Sequence, residues 1–321
     1  MSEKAYINAV AEAYRGVMED FDEAIVLGED VRKALLGLTV DFADEFGEDR
    51  VRDTPIAEPG FTGIGIGAAM DGKRPILEYQ INTIPHLTME QVVNNAGRIH
   101  HMSNGAYSVP ITMTVPMAGS PGGLGPQHSD APHAGLAHYG IKQVIPSTPY
   151  DAKGLLRSAI EDDDPVVVYF PVVLHATTGD VPDETYRIPL GEAEIKQEGS
   201  EVTVVAVGES VQDAIAVADA NEADVEVIDL RTPFPLDEET ILASVEKTGR
   251  IVIMDTGNRM CGTASEIAAR VADEGLFELD APVKRVTRAD APVSYAAPEE
   301  DYVLPDQETL NQAVDEVLSG A

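Results

Sequence analysis

Arg52-Asp53-Thr54-Pro55-Ile56-Ala57-Glu58-Pro59-Gly60-Phe61 runs almost directly into the small-residue stretch Gly63-Ile64-Gly65-Ile66-Gly67-Ala68-Ala69. The second stretch reads as a helix built for close packing, and the first as an apolar turn leading into it. Glu58 stands in that turn among Ile56, Ala57, Phe61 and Ile64. A carboxylate in such surroundings is costly unless it has a partner. A buried Glu58 would be suited to sharing a proton with a bound heterocycle, which makes it the leading catalytic candidate.

Working outward, residues 5–19 carry Ala, Val, Tyr and Met at helical spacing, and 24–27 read as a short buried strand. A helix is expected near 39–46. After the Gly-rich helix come a strand at 75–79, a long helix near 87–103 and a strand at 109–115. A Gly, Pro and His-rich loop follows over 117–139, and loops of that length are usually functional or disordered. A strand at 143–145, a helix at 150–161 and a strand at 166–170 complete the series. Strands alternating with helices imply α/β architecture, with a mostly parallel sheet covered on both faces. Polar turns at 176–198 mark a boundary, and a second strand and helix series begins at Val202. Two domains are expected, over 1–180 and 199–321, joined by a linker over 181–198.

The chain has 56 acidic residues against 22 Lys plus Arg, a net charge of −34 over 321 residues. Such a field repels phosphate backbones and anionic membranes, so neither nucleic acid nor a membrane is expected as partner. Repulsion within clusters such as 41–48, 161–164 and 299–301 would be screened in strong salt. That points to a halophilic cytoplasm, the alternative being an acidic partner-binding surface in an ordinary cell. No apolar run approaches the roughly 18 residues of a membrane span, and Met1-Ser2-Glu3-Lys4 opens no signal-peptide core. A cytoplasmic setting is expected. The single cysteine, Cys261, excludes an internal disulfide and is expected to be a buried or neutral thiol.

Two motifs mislead. Gly63-Ile64-Gly65-Ile66-Gly67-Ala68 fits a loose G-x-G-x-x-A pattern, but no strand precedes it as a dinucleotide site requires. Helix packing, across a subunit interface, is the better use of those glycines. Met70-Asp71-Gly72 followed by Asn94-Asn95 falls short of the G-D-G…N-N run that holds Mg²⁺ and a diphosphate, because Met replaces the first glycine. His86, His100, His101, His133, His138 and His175 make no zinc pattern.

The Thr54 to Glu58 turn resembles the T-P-[IL]-x-E turn in beta subunits of thiamine-diphosphate-dependent 2-oxoacid dehydrogenases of the pyruvate, branched-chain and acetoin type. Further matching blocks are Gly28-Glu29-Asp30-Val31, Gln127-His128-Ser129, Ile145-Pro146-Ser147-Thr148-Pro149-Tyr150-Asp151-Ala152-Lys153-Gly154, Asp229-Leu230-Arg231-Thr232 and Ser244-Val245-Glu246-Lys247-Thr248-Gly249-Arg250. They keep the family's order from residue 5 to about 315. The resemblance implies a pyrimidine-binding transketolase-like domain followed by a transketolase C-terminal-like domain. It implies oxidative decarboxylation of a 2-oxoacid with acyl transfer to a lipoyl group, performed with an alpha subunit in an α2β2 heterotetramer. Thiamine diphosphate would lie between the chains, its Mg²⁺ and diphosphate held by the alpha subunit.

By the same resemblance Glu58 hydrogen-bonds the pyrimidine ring, Gln80 and Ile84 line that pocket, and His128 passes a proton during acyl transfer, a task that suits imidazole. Ile111, Ala159, Asp162 and Asp164 match a structural K⁺ site, and Asp290 matches the contact that docks the lipoyl acyltransferase core. Ile84 stands where an aromatic residue is usual and Phe170 where an acid is common. The 117–126 loop is also unusual, so the identity of the 2-oxoacid stays open. An assembly subunit with a drifted site, or one half of a split transketolase-like enzyme, remains as an alternative.

Overall fold

The computed structural model describes residues 1–82, 84–117 and 122–320, so residues 118–121 of the unusual loop lie outside the described residues. Contacts divide the chain into two compact units, the first formed by residues 1–117 and 135–190 and the second by 118–134 and 191–321. Chain order alone assigned 118–134 to the first domain. Residues 122–134 group with the second unit because Gly122, Gly123 and Asp130 find their hydrogen-bond partners there.

In chain order the first series is β1 (Ser2–Ala5), α1 (Tyr6–Asp20), β2 (Ala24–Gly28), α2 (Phe42–Phe46), β3 (Val51–Asp53), α3 (Glu58–Met70), β4 (Arg74–Glu78), α4 (Ile84–Leu87), α5 (Gly97–Met102), β5 (Thr112–Met117), α6 (His133–Ala137), β6 (Lys142–Val144), α7 (Pro149–Glu161), β7 (Val166–Pro171) and β8 (Thr178–Val181). Six of these strands form one sheet in the order β3-β2-β4-β5-β7-β6, and every pairing in it is parallel. On one face, Tyr6, Val10, Tyr14 and Val17 of α1 and Ala152, Leu155, Leu156 and Ala159 of α7 close the core. Their three- and four-residue spacing is that of amphipathic helices. Against the strands lies α3, brought close at Gly65, where a Cβ would fall 2.9 Å from Leu77 Cδ2 and 3.1 Å from Ile111 Cδ1.

Two segments depart from expectation. The helix expected over 87–103 is divided into α4, a π-helical stretch at Glu90–Ala96 and α5. At the last junction, a Cβ on Gly97 would strike Ile141 Cδ1 at 2.5 Å, so the chain there is fitted to its neighbour rather than to helical periodicity. The stretch after 176 is not only linker, because β8 pairs antiparallel with β1, Ser2 opposite Val181.

The second series is β9 (Glu194–Gln197), β10 (Val202–Ala206), α8 (Ser210–Ala220), β11 (Val225–Asp229), α9 (Glu238–Thr248), β12 (Ile251–Asn258), α10 (Thr263–Glu274), β13 (Lys284–Arg288), α11 (Ala297–Val303) and α12 (Gln307–Ser319). Its sheet runs β13-β12-β10-β11-β9, parallel except for antiparallel β9. Val211 and Val217 of α8 and Leu310, Val314 and Val317 of α12 cover one face. Among the described residues no helix is long and apolar enough to cross a membrane.

Candidate active site

Glu58 is the first residue of α3 rather than part of a turn ahead of it, and Pro59 behind it occupies the first turn, where a missing N–H costs nothing. The side chain is buried, at 8% exposure, and a helix N-terminus favours a carboxylate. Thr62 Oγ1 donates to the Glu58 carbonyl at 2.5 Å and is also hydrogen-bonded to the Tyr79 hydroxyl. The Phe61 and Tyr79 rings pack with centroids 5.0 Å apart, so this first turn is fixed on the residue that follows β4 by both polar and apolar contacts.

The ends of β2 and β4 bring further oxygens to the same edge of the sheet. Gln80 Nε2 donates to the Glu29 carbonyl at 2.7 Å. Gln80 Oε1 and Glu29 Oε1 are buried acceptors without a hydrogen-bond partner. Burial, then the charges of Glu58 and Asp30, push the Glu29 carboxyl up, which places Glu29 near Glu58. Sequence reasoning had not singled out Glu29 as a site residue, although it follows a buried strand directly. Ile84 is fully buried at the start of α4 and accepts at its carbonyl from the Thr88 hydroxyl, 2.8 Å away.

Glu78 was also missed. It ends β4 fully buried, with neither oxygen hydrogen-bonded. Burial pushes its carboxyl up to about 8, and the neighbouring Gln80 amide pulls the other way.

His128 belongs to the second unit and is exposed, between buried Gly125 and buried Ser129. Its N–H and that of Ser129 both donate to the Gly125 carbonyl, at 3.1 and 3.0 Å. Five residues on, His133 is fully buried with Nε2 3.2 Å from Asp255 Oδ2. Burial alone would lower the His133 pKa, but the charge and hydrogen bond of Asp255, helped by Glu209, raise it. Glu209 itself is pushed by burial up to about 7. Neither His133 nor its acidic neighbours could be found from the sequence, since 122 positions separate the paired residues.

The four positions matched to K⁺ already have protein partners. The Ile111 carbonyl accepts from Val166 N–H at 3.0 Å and the Ala159 carbonyl from Thr112 Oγ1 at 3.1 Å. Lys142 Nζ lies 2.9 and 2.8 Å from the Asp162 oxygens and 3.0 Å from Asp164 Oδ2. Arg74 Nη1 donates to the Ile160 and Asp162 carbonyls. Protein cations thus supply the positive charge that the acidic end of α7 requires, and the residues fit a bare potassium ion poorly. No group of three or more His, Cys, Asp or Glu among the described residues could hold a metal.

Asp290 is exposed and accepts at Oδ1 from Met260 N–H, 2.8 Å away. Of the buried or neutral thiol expected at Cys261, the burial does not hold: the residue is exposed, in the left-handed turn between β12 and α10. Phe170 lies in the core of the first unit, edge-on to Tyr6 at 6.2 Å.

Two α/β units of this kind, with a carboxylate at the head of α3, define a transketolase-like, thiamine-diphosphate-type architecture. The pyrimidine binding domain of transketolase matches residues 2–175 and the transketolase C-terminal domain residues 191–310. A split-gene transketolase described as an inactive beta4 tetramer superposes with TM-score 0.80 over 98% of each chain at 20% identity, which shows the fold alone. In Bacillus subtilis strain 168, the beta subunit of acetoin:2,6-dichlorophenolindophenol oxidoreductase is 39% identical, covering 97% of this chain and 96% of its own. The beta subunits of 2-oxoisovalerate dehydrogenase and of the pyruvate dehydrogenase E1 component from the same strain are 38% and 37% identical, over 99% of each chain. The chain belongs to the E1 beta subunits of 2-oxoacid dehydrogenase complexes. This favours the dehydrogenase reading over an assembly subunit or a split transketolase. It gives no support to a halophilic origin.

Thiamine diphosphate fits the residues present. Its aminopyrimidine offers N–H donors, and Gln80 Oε1 and Glu29 Oε1 are buried acceptors without one.

Proposed function

We propose that this chain supplies the pyrimidine side of a thiamine diphosphate site completed by an alpha subunit, which brings Mg²⁺ and the diphosphate contacts, in an α2β2 assembly that decarboxylates a small 2-oxoacid such as pyruvate or a branched-chain 2-oxoacid. The observation that carries this is buried Glu58 at the head of α3, flanked by Ile56 at 83% and Ile64 at 65% exposure. Apolar side chains that open beside a buried carboxylate suit coverage by a second chain. Bound thiamine diphosphate supplies the electron sink for decarboxylation. Glu58 would hydrogen-bond the pyrimidine ring, Gln80 and Glu29 would accept from its N–H groups, and Ile84 would back the pocket.

His128 is the proposed proton donor in acyl transfer to the lipoyl group, supported by its exposure on a backbone turn. Asp290 is the proposed docking contact for the acyltransferase core; its Oδ1 is used by Met260, which leaves Oδ2 for a partner cation. Calorimetry tests the two-chain site. The isolated chain should bind thiamine diphosphate poorly, and adding the alpha subunit with Mg²⁺ should restore binding. Micromolar binding by the chain alone would overturn the proposal. Assay of pyruvate and branched-chain 2-oxoacids for decarboxylation, and of acetoin for cleavage of its carbonyl–carbinol C–C bond, would name the substrate.

A further inference from the structure

The segment that bears His128 is held on both sides by buried charged groups. On its N-terminal side the Glu300 carboxylate, 1% exposed, accepts from Gly122 N–H and Gly123 N–H at 3.0 Å each, one oxygen apiece. Successive backbone N–H groups form a small anion-binding concavity, and here a carboxylate from α11 of the same chain fills it. Gly125 adopts φ +74°, and a Cβ there would lie 2.2 Å from the Tyr295 ring, so only glycine permits this approach. On the C-terminal side Arg288 Nη2 lies 2.7 Å from Asp130 Oδ1, and Arg288 is further oriented by Asn258. His133 is fixed on Asp255 three residues later. Between these anchors His128 is the one exposed titratable side chain of residues 122–134.

We infer that Glu300, the Asp130–Arg288 pair and the His133–Asp255 pair are positioning residues that clamp the His128 segment, so that its imidazole is presented at a fixed place for proton transfer to the acyl acceptor. All lie in the second unit, and each anchor reaches the segment from a different element: α11, β13 and β12. Charge-assisted hydrogen bonds to backbone N–H groups and buried ion pairs are stronger and more directional than neutral contacts. A general acid displaced by about 1 Å loses on the order of 100-fold in rate. Exposed loops are ordinarily held by fewer such contacts, because burying a charge is costly unless it is paired. The clamp is thus a substantial structural commitment made around a single outward-facing imidazole.

This rests on the proposed role of His128, and the test separates the two. In the reconstituted heterotetramer, two rates are measured for each variant: acylation of a lipoylated domain, and decarboxylation coupled to 2,6-dichlorophenolindophenol. Glu300→Gln and Asp130→Asn should each slow lipoyl acylation about tenfold and leave dye-coupled decarboxylation within about twofold. In a His128→Ala background neither should slow acylation further, because there is no imidazole left to position. Arg288→Lys should retain more acylation than Arg288→Met. Equal losses in both assays, additive losses in the His128→Ala background, or unchanged acylation would overturn the inference. Normal acylation in His128→Ala alone would remove the role of His128 and the clamp's purpose together. Should a variant fail to assemble, backbone amide exchange over 122–134 in the isolated chain decides. It should accelerate in Glu300→Gln while the β10 and β12 amides stay protected, and unchanged exchange there would also overturn the inference.

Discussion

Gln80 Nε2 and the Glu29 carbonyl, 2.7 Å apart, tie the residue after β2 to the second residue after β4 and so fix Gln80 beside Glu29, whose carboxyl feels the charge of Glu58. Replacing Gln80 by Leu removes this tie and one buried acceptor. Affinity of the reconstituted heterotetramer for thiamine diphosphate is expected to fall about tenfold, the scale of a lost hydrogen bond in a desolvated site. Cofactor titration by activity measures it, and unchanged affinity would exclude Gln80 from the pocket.

Glu78 gives a pH dependence of stability with a definite sign. Its folded value of about 8 lies above its ordinary 4.5. Between those values the unfolded chain has released a proton that the folded chain retains, so stability falls as pH rises through that window, by up to roughly 1.4 kcal/mol per pH unit, and levels off above it. Glu78→Gln removes the titration. Its Tm relative to the parent should climb from pH 5 to pH 8. A constant difference would mean that Glu78 is ionised in the fold.

Lys142 pairs with both Asp162 and Asp164, two of the four residues that the resemblance matches to potassium. Replacing Na⁺ by K⁺ should therefore leave Tm unchanged, and Lys142→Met should lower stability by about 1 kcal/mol, since the pair is partly exposed and screened. Stabilisation specific to K⁺ in the parent protein would restore the ion.

The net charge of −34 has its own consequence. From about 0.1 M to about 1 M KCl the Debye length falls from about 10 Å to about 3 Å, so repulsion among unpaired carboxylates should fade and Tm should rise. A flat or falling Tm over that range would show that the acidic surface does not limit stability.

What the sequence could reveal divides along physical lines. Local signals were readable: the α1 and α7 faces, the parallel-sheet alternation and Glu58 at the head of a small-residue helix. Even there the turn proved to be the first turn of α3, a placement that Pro59 signals. Pairings between remote positions were not readable. β1 and β8 are short and polar, so nothing in Ser2–Ala5 announces Thr178–Val181. The His133–Asp255 and Asp130–Arg288 pairs join segments more than 100 residues apart, and only the fold brings them together. Phe170, which stands where the family commonly has an acid, is a core residue, because a strand over 166–170 is legible in the sequence but the direction its last residue faces is not.

Turnover of Glu58→Gln in the reconstituted complex tests the central claim most directly. The amide fills the same space at the head of α3 but cannot accept and return a proton. The heterotetramer should assemble with near-parental Tm, and decarboxylation should fall by at least about 100-fold in both lipoyl-coupled and dye-coupled assays. Near-parental turnover in a correctly assembled complex would contradict the assignment of Glu58 as the group that shares a proton with the cofactor.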